Sequence, residues 1–135
     1  MFKALENAYE FAPLPLRIGL AAVFITSGVL SLMNTAATTN YMASISLPAP
    51  MVFAIIFMVS QLIGGLFILL GLLTRLSAIW MTLVLLLIGI MAYGVNYQSE
   101  NLLAMMTHIA WIGATLCLMM SGPGRISLDE KYFWE

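Results

Sequence analysis

Residues 51–94 decide the fold, and they read MVFAIIFMVSQLIGGLFILLGLLTRLSAIWMTLVLLLIGIMAYG. Arg75 is the only charged residue in this stretch. A membrane-spanning helix needs about 20 predominantly apolar residues, and each side of Arg75 supplies about that many. Neither side alternates apolar and polar residues, as a barrel strand would. The stretch therefore predicts two spanning helices, at 51–73 and 76–94, joined by Thr74-Arg75.

The flanking sequence supplies two more apolar runs of similar length. The first covers residues 14–33 and the last covers residues 101–121, where Gly122-Pro123-Gly124 ends it. A signal-peptide core has about 7–15 apolar residues, so the longer first run is expected to be retained. The sequence predicts an all-α membrane protein, a bundle of four transmembrane helices forming a single domain over residues 1–135.

Composition supports a lipid environment. The chain is 62% hydrophobic and 8% charged, with a mean hydropathy of +1.02, whereas soluble domains carry roughly 25% charged residues. The net charge of -1 argues against a nucleic-acid partner. Cys117 is the only cysteine, so an intrachain disulfide is impossible and no zinc-type spacing exists.

The basic residues predict the orientation. Loops that carry lysine and arginine stay on the cytoplasmic side, and the loops at 34–50 and 94–100 contain neither residue. These two loops are expected to face outward and both termini to be cytoplasmic. Every basic residue lies at the opposite end of the predicted bundle: Lys3, Arg17, Arg75, Arg125 and Lys131.

Three segments outside the spans are expected to lie at the membrane surface. Residues 2–12 place apolar side chains at helical spacing against charged ones, as in a short interfacial helix. Residues 131–135 read KYFWE, an aromatic anchor for the headgroup region. The stretch 38–45 is expected to form one or two helical turns on the outer surface.

Gln61 and His108 are the candidate binding residues because polar groups inside a membrane need partners. Gln61 lies about 16 Å along its helix from Pro50, and His108 about 10 Å from the outer end of the last span. Each could be a structural residue that bonds another helix, or a ligand contact. His108 could also relay protons or contact a quinone. A single histidine supplies only one axial haem ligand.

No catalytic or metal-binding motif is present in the sequence. It contains no phosphate-binding loop, paired carboxylates, Ser/His/Asp set or CxxC pair. Small residues at helical spacing instead indicate helix packing: Ser60 and Gly64, with Gly65 beside them, in the second span, and Ala110 and Ala114, with Gly113, in the fourth. Gly64 and Gly65 are therefore assigned a structural role.

Three stretches together carry a family resemblance. They are residues 16–28, residues 61–78 and residues 121–129, which begin LR, QLIGGL and SGPGR respectively. In this order and spacing the chain resembles the DoxX family of small four-helix membrane proteins over nearly its whole length. The resemblance implies a multi-pass protein of the bacterial inner membrane, near redox chemistry. The family is named for subunits linked to a terminal quinol oxidase and to thiosulfate:quinone oxidoreduction. Other members are linked to oxidative-stress assemblies, and distant relatives resemble assembly chaperones and cargo receptors.

The chain departs from the family pattern at two positions. Relatives tend to have a lysine where Ser31 stands and a glutamate where Gln61 stands, which suggests that this member does not use those charges. Arg75 and Asp129 both lie in family-like stretches at the predicted cytoplasmic side. We expect them to pair as structural residues, with Glu130 as the alternative partner.

Three functions follow as hypotheses. The first is a non-catalytic subunit or assembly factor of a larger membrane complex, of respiratory or redox type. The second is a quinone-linked oxidoreductase subunit that uses His108 and Gln61. The third is a small-molecule carrier. The isolated chain is expected to hold no cofactor, with quinone as the class to test. Its expected partners are the lipid bilayer and other integral membrane subunits, and self-association stays open.

Overall fold

The computed structural model describes residues 11–95 and 102–133, and all regular structure in these ranges is helical. Four of the helical segments are long and apolar enough to cross a membrane, which confirms the predicted all-α, four-span fold. Three predicted segments lie partly outside the described residues: residues 2–10 of the expected surface helix at 2–12, residues 96–100 of the turn at 94–100, and the last two residues of the aromatic anchor. In chain order the elements are α1 (Pro13–Met33), α2 (Thr35–Ser44), α3 (Pro50–Leu70), α4 (Thr74–Gly89), a π-helical segment (Ile90–Val95), α5 (Leu102–Ser121) and α6 (Leu128–Phe133).

The connection between the second and third spans lies three residues earlier than the sequence predicts. Helix α3 ends at Leu70 because Gly71 adopts a left-handed conformation (φ 69°), the usual way in which glycine ends a helix. Leu73 is also left-handed (φ 47°), and Thr74 already begins α4. Arg75 therefore lies in the first turn of α4 rather than in a loop.

Helix α2 is longer than the one or two turns expected for this loop. The Asn34 side chain accepts a hydrogen bond from the Ala37 backbone N–H (3.2 Å), a standard helix N-cap. Met42 of α2 is buried, and with Met58 of α3 and Ile88 of α4 it forms a hydrophobic cluster. Helix α2 thus covers one end of the bundle instead of standing free of it.

Glycines bring α3 close to both of its neighbours. A Cβ added to Gly65 would lie 2.9 Å from the Ile25 Cγ1 of α1 and 3.2 Å from the Ile25 backbone nitrogen. A Cβ added to Gly64 would lie 2.6 Å from the Met81 sulfur of α4. The two residues assigned to packing therefore face different helices, and a second cluster that contains Phe24, Met81 and Leu118 fills the centre of the bundle.

Candidate functional site

Arg17 is buried at one end of the bundle, with 2% of its surface exposed. Its Nε donates to the Ile68 carbonyl (2.9 Å) and its Nη2 to the Leu69 carbonyl (2.8 Å). These carbonyls belong to the last turn of α3, where helix carbonyls lack intrahelical partners. The guanidinium of α1 therefore caps the C-terminus of α3. We call this end of the molecule the basic end.

The same guanidinium also holds residues 122–133, which we call the tail. Arg17 Nη1 donates to the Pro123 carbonyl (2.9 Å) and to the Ile126 carbonyl (2.6 Å). The sequence indicated Arg17 as one of five topology-setting cations and as part of a family-like stretch, without a structural role. Its role could not be found by motif because all four acceptors are backbone carbonyls, more than fifty positions away along the chain.

Asp129 of the tail caps the start of α4. Its carboxylate accepts hydrogen bonds from the Leu73 N–H (2.5 Å) and the Thr74 N–H (2.8 Å). Its own backbone N–H donates to the Gly71 carbonyl (2.9 Å). A carboxylate at a helix N-terminus satisfies unpaired amides and complements the helix dipole. The tail therefore locks the tight connection between α3 and α4.

Asp129 is not the partner of Arg75 that the sequence analysis predicted. Within residues 11–95 and 102–133, no ion pair joins Arg75 to Asp129 or to Glu130. The carboxylate of Asp129 instead accepts hydrogen bonds from backbone amides. These amides are already held in place by the helix, so no second side chain has to be ordered to make the contact. Arg75 does meet the tail, because its guanidinium lies 3.3 Å from the position that a Cβ on Gly122 would occupy.

The three stretches that carry the family resemblance thus meet at the basic end. Arg17 comes from the first, the Gly71–Thr74 connection from the second, and the Pro123–Asp129 segment from the third. Gly71 is required at the junction because its φ is positive and because an added Cβ would contact the Arg17 guanidinium and the Ser127 Cβ. These stretches have a shared structural explanation, the closure of the bundle at one end.

His108 lies in α5 and its side chain faces α4. Its Nε2 lies 2.7 Å from the Leu85 carbonyl. A carbonyl can only accept, so Nε2 carries a proton and donates it to this carbonyl. The Tyr93 ring meets the imidazole edge-on, with centroids 5.7 Å apart, and the Trp111 ring lies 6.2 Å away.

The helix opposite His108 changes its hydrogen-bonding pattern at the contact. A Cβ on Gly89 would lie 2.9 Å from the imidazole Cδ2, so the missing side chain leaves room for the ring. The π-helical segment begins at the next residue. Segments of this kind often occur at functional sites.

Tyr41 lies in α2, outside the spans. Burial raises the pKa of its phenol, and Tyr93 adds to the shift.

Gln61 is 3% exposed, and its Oε1 has no hydrogen-bond partner among the described residues. Its Cβ lies 3.1 Å from the position that a Cβ on Gly28 of α1 would occupy. No described contact joins Gln61 to His108, so the two candidate binding residues have separate surroundings. An unpaired buried acceptor costs about 1–3 kcal/mol, which marks Gln61 as a position where a further donor would stabilise the bundle.

Several other polar groups inside the spans are occupied in bonds within or between helices. Trp80 Nε1 donates to Ser60 Oγ (2.9 Å), joining α4 to α3. Thr82 Oγ1 donates to Thr115 Oγ1 (2.9 Å), joining α4 to α5. In the described part of the chain, no group of three or more histidine, cysteine or acidic side chains could hold a metal ion.

Comparison with known proteins gives the family and two relatives. The family model DoxX matches residues 12–94. Inner membrane protein YphA of Escherichia coli (strain K12) is 32% identical over 122 residues, covering 85% of this chain and 86% of its own length. Inner membrane protein YqjF of the same organism is 32% identical over 114 residues, covering 84% of this chain and 86% of its own. No solved structure matches the chain.

Proposed function

Because this chain belongs to the DoxX family and is a four-span protein of the inner membrane, we propose that it is a non-catalytic subunit or assembly factor of a larger membrane complex. The complex would be of respiratory or redox type, as the family resemblance implies. In this role the chain supplies helix surfaces rather than reacting groups, and its effect is on the assembly or stability of its partners.

The observation that carries the proposal is the poor burial of α5. In the 18-residue apolar stretch of α5 only 17% is buried within the described chain, against 39% in the corresponding stretch of α3. Its outer surface is apolar, with Leu103, Met106 and Ile109 all more than half exposed. It also includes exposed small residues at Ala110 and Gly113, and a Cβ on Gly113 would meet nothing within 4 Å. Small residues let a second helix approach closely in a membrane.

The chemistry of the interior supports the same proposal. The donors of Arg17, Trp80 and Thr82 are engaged with other parts of the bundle. The Nε2 of His108 donates a hydrogen bond to the Leu85 carbonyl. A carrier would need a passage through the centre of the bundle, which the Phe24 cluster fills. These four side chains therefore hold the spans together.

A quinone-linked oxidoreductase subunit is the second candidate. Two observations favour it: the unpartnered Oε1 of Gln61, and the π-helical segment beside His108. The unpaired Gln61 Oε1 could accept a hydrogen bond from a quinol hydroxyl. A quinone carbonyl could accept one from the imidazole or from the Gln61 amide nitrogen after rearrangement. This reading requires that the isolated protein binds quinone and that the bound quinone depends on these side chains.

The test compares two glycines that both face outward. A tagged chain is purified from its host membrane in mild detergent, as wild type, Gly113→Leu and Gly19→Leu. Gly19 of α1 is the matched control, because an added Cβ there also meets nothing within 4 Å. A stoichiometric membrane partner should be retained by the wild type and Gly19→Leu and lost from Gly113→Leu. The abundance of this partner in the membrane should fall when the gene for the present chain is deleted.

Two other results would decide against the proposal. Stoichiometric haem, flavin or quinone on the isolated chain would favour the oxidoreductase reading. The same holds if deletion leaves partner abundance unchanged while quinone-linked activity is lost in a manner that depends on His108. Visible spectra and quinone extraction of the purified chain provide these measurements.

A further inference from the structure

A cavity of about 600 Å³ opens at the basic end, between the start of α1 and the end of α5. Leu16 of α1 and Cys117 of α5 form part of its apolar wall. Arg75, Arg125, Ser121 and Glu130 supply its polar lining. Its volume lies in the range of about 300–1,000 Å³ that is common for small-molecule sites.

The lining of this cavity selects for negative charge. Among the described residues, its lining includes two guanidinium groups and one carboxylate, and arginine is suited to bidentate contact with phosphate. A second cavity, of about 660 Å³ at the other end of α1, provides an internal contrast. It is lined by uncharged side chains that include Ser27, Ser31 and Asn34. Of these two cavities, the one at the basic end combines an apolar wall with cations.

The position of the cavity matches a lipid that stands upright in the bilayer. Ser121 is the last residue of α5 and Arg75 lies in the first turn of α4, so the polar lining is at the ends of the spans. Cys117 is one turn deeper, about 6 Å along the helix, and is exposed. A headgroup would meet the polar rim while an acyl chain follows the wall formed by Leu16 and Cys117.

We propose that this cavity binds an anionic phospholipid with a glycerol headgroup, namely phosphatidylglycerol. The phosphate is held by Arg75 and Arg125, as basic recesses between spanning helices hold anionic headgroups in general. Ser121 and Glu130 hydrogen-bond the headgroup hydroxyls. The two arginines and the single carboxylate favour an anionic lipid over a zwitterionic lipid with the same acyl chains.

Native mass spectrometry of the delipidated full chain tests the selectivity. The protein is offered equal amounts of phosphatidylglycerol and phosphatidylcholine with identical acyl chains. The wild type should retain phosphatidylglycerol preferentially. Replacing both guanidinium groups, Arg75→Gln with Arg125→Gln, should lower this preference by about tenfold or more, since the charged hydrogen bonds to the phosphate are lost. Lys131→Gln is the matched control, because Lys131 is an exposed cation of the same tail outside the cavity lining.

A second measurement needs no variant. Cys117 is the only cysteine of the chain, so alkylation by N-ethylmaleimide reports on the cavity wall. Phosphatidylglycerol should slow the alkylation several-fold, and phosphatidylcholine should not. Equal protection by both lipids would overturn the proposal. So would equal protection by inorganic phosphate, which would assign the site to a water-soluble anion, or a preference in the mass spectra that is the same with and without the two arginines.

Discussion

Arg17 is the residue on which the basic end depends most. One guanidinium serves two carbonyls of α3 and two of the tail. A buried arginine is tolerated at the end of a span because neutral backbone dipoles surround it and because Asp129 supplies a nearby negative charge. The planar fork with its five N–H donors is what makes four directional bonds from one side chain possible.

Replacing Arg17 by lysine should not preserve this network. Lysine has a single donor nitrogen and cannot reach the acceptors that lie along different edges of the guanidinium group. Arg17→Lys and Arg17→Gln should each lower the free energy of unfolding by at least about 2 kcal/mol, because several buried carbonyls lose their donor. Thermal unfolding in detergent checks this. Arg75→Gln, at the same end, should stay close to wild type, and an unchanged unfolding temperature for Arg17→Lys would contradict the argument.

The His108 contact makes a prediction that separates structure from catalysis. In His108→Gln the side-chain amide can still donate to the Leu85 carbonyl, whereas His108→Ala leaves that donor out. The alanine variant should be less stable by about 0.6–1 kcal/mol, and the glutamine variant close to wild type. Both should keep any partner bound. Loss of function in the stable glutamine variant would instead point to proton transfer by the imidazole.

At the scale of elements, the two ends of the bundle are closed in different ways. The basic end relies on polar bonds between backbone and side chains, with Arg17 at the end of α3 and Asp129 at the start of α4. The other end relies on apolar cover, because α2 lies over α3 and buries Met42. A loss of polar contacts should therefore loosen the tail without opening the end covered by α2.

Asp129 is expected to control the attachment of the tail. Asp129→Ala removes the acceptor for two amides and should cost about 0.5–2 kcal/mol, as the loss of an N-cap does. Trypsin should then cleave faster after Arg125 and Lys131 in detergent. Glu130→Ala is the control, because the Glu130 carboxylate caps no helix in the described structure. Equal cleavage rates for the two variants would show that the cap does not hold the tail.

The adjacent glycines of α3 should differ when each is changed to alanine. Gly65 faces the backbone nitrogen of Ile25, which can move only with α1, whereas Gly64 faces the flexible Met81 side chain. Gly65→Ala should therefore cost about 1–3 kcal/mol, the range for overpacking, and Gly64→Ala clearly less. Unfolding temperatures of the pair in the same detergent measure the difference. The reverse order would mean that α1 moves more easily than Met81.

At the scale of the whole molecule, burial is distributed unevenly among the spans. Helix α3 is the central element, packed against α1, α2 and α4, while α5 contacts mainly α4. The apolar surface of α5 thus faces lipid or another helix. This asymmetry supports the proposed role in a larger assembly.

The orientation of the bundle is a prediction from the basic residues. The test uses a chain whose Cys117 is replaced by alanine. In this chain Asn40→Cys, at an exposed position of helix α2, should react with an impermeant thiol reagent added to intact cells. Ser127→Cys, in the tail, should react only after the membrane is permeabilised. The opposite labelling pattern would reverse the predicted orientation, with both termini outside.

The sequence by itself determined the number of spans, their helical character and the family. Long uncharged runs have only one stable form in lipid, because every backbone polar group must be bonded within its own segment. It also assigned Gly64 and Gly65 to helix packing and singled out His108 and Gln61 as polar groups inside the spans that need partners. Only the tertiary structure decided the role of Arg17 and the true partner of Asp129. Their partners are backbone groups from distant segments, which carry no side-chain signature, so packing of the spans had to bring them together before any pattern could be seen.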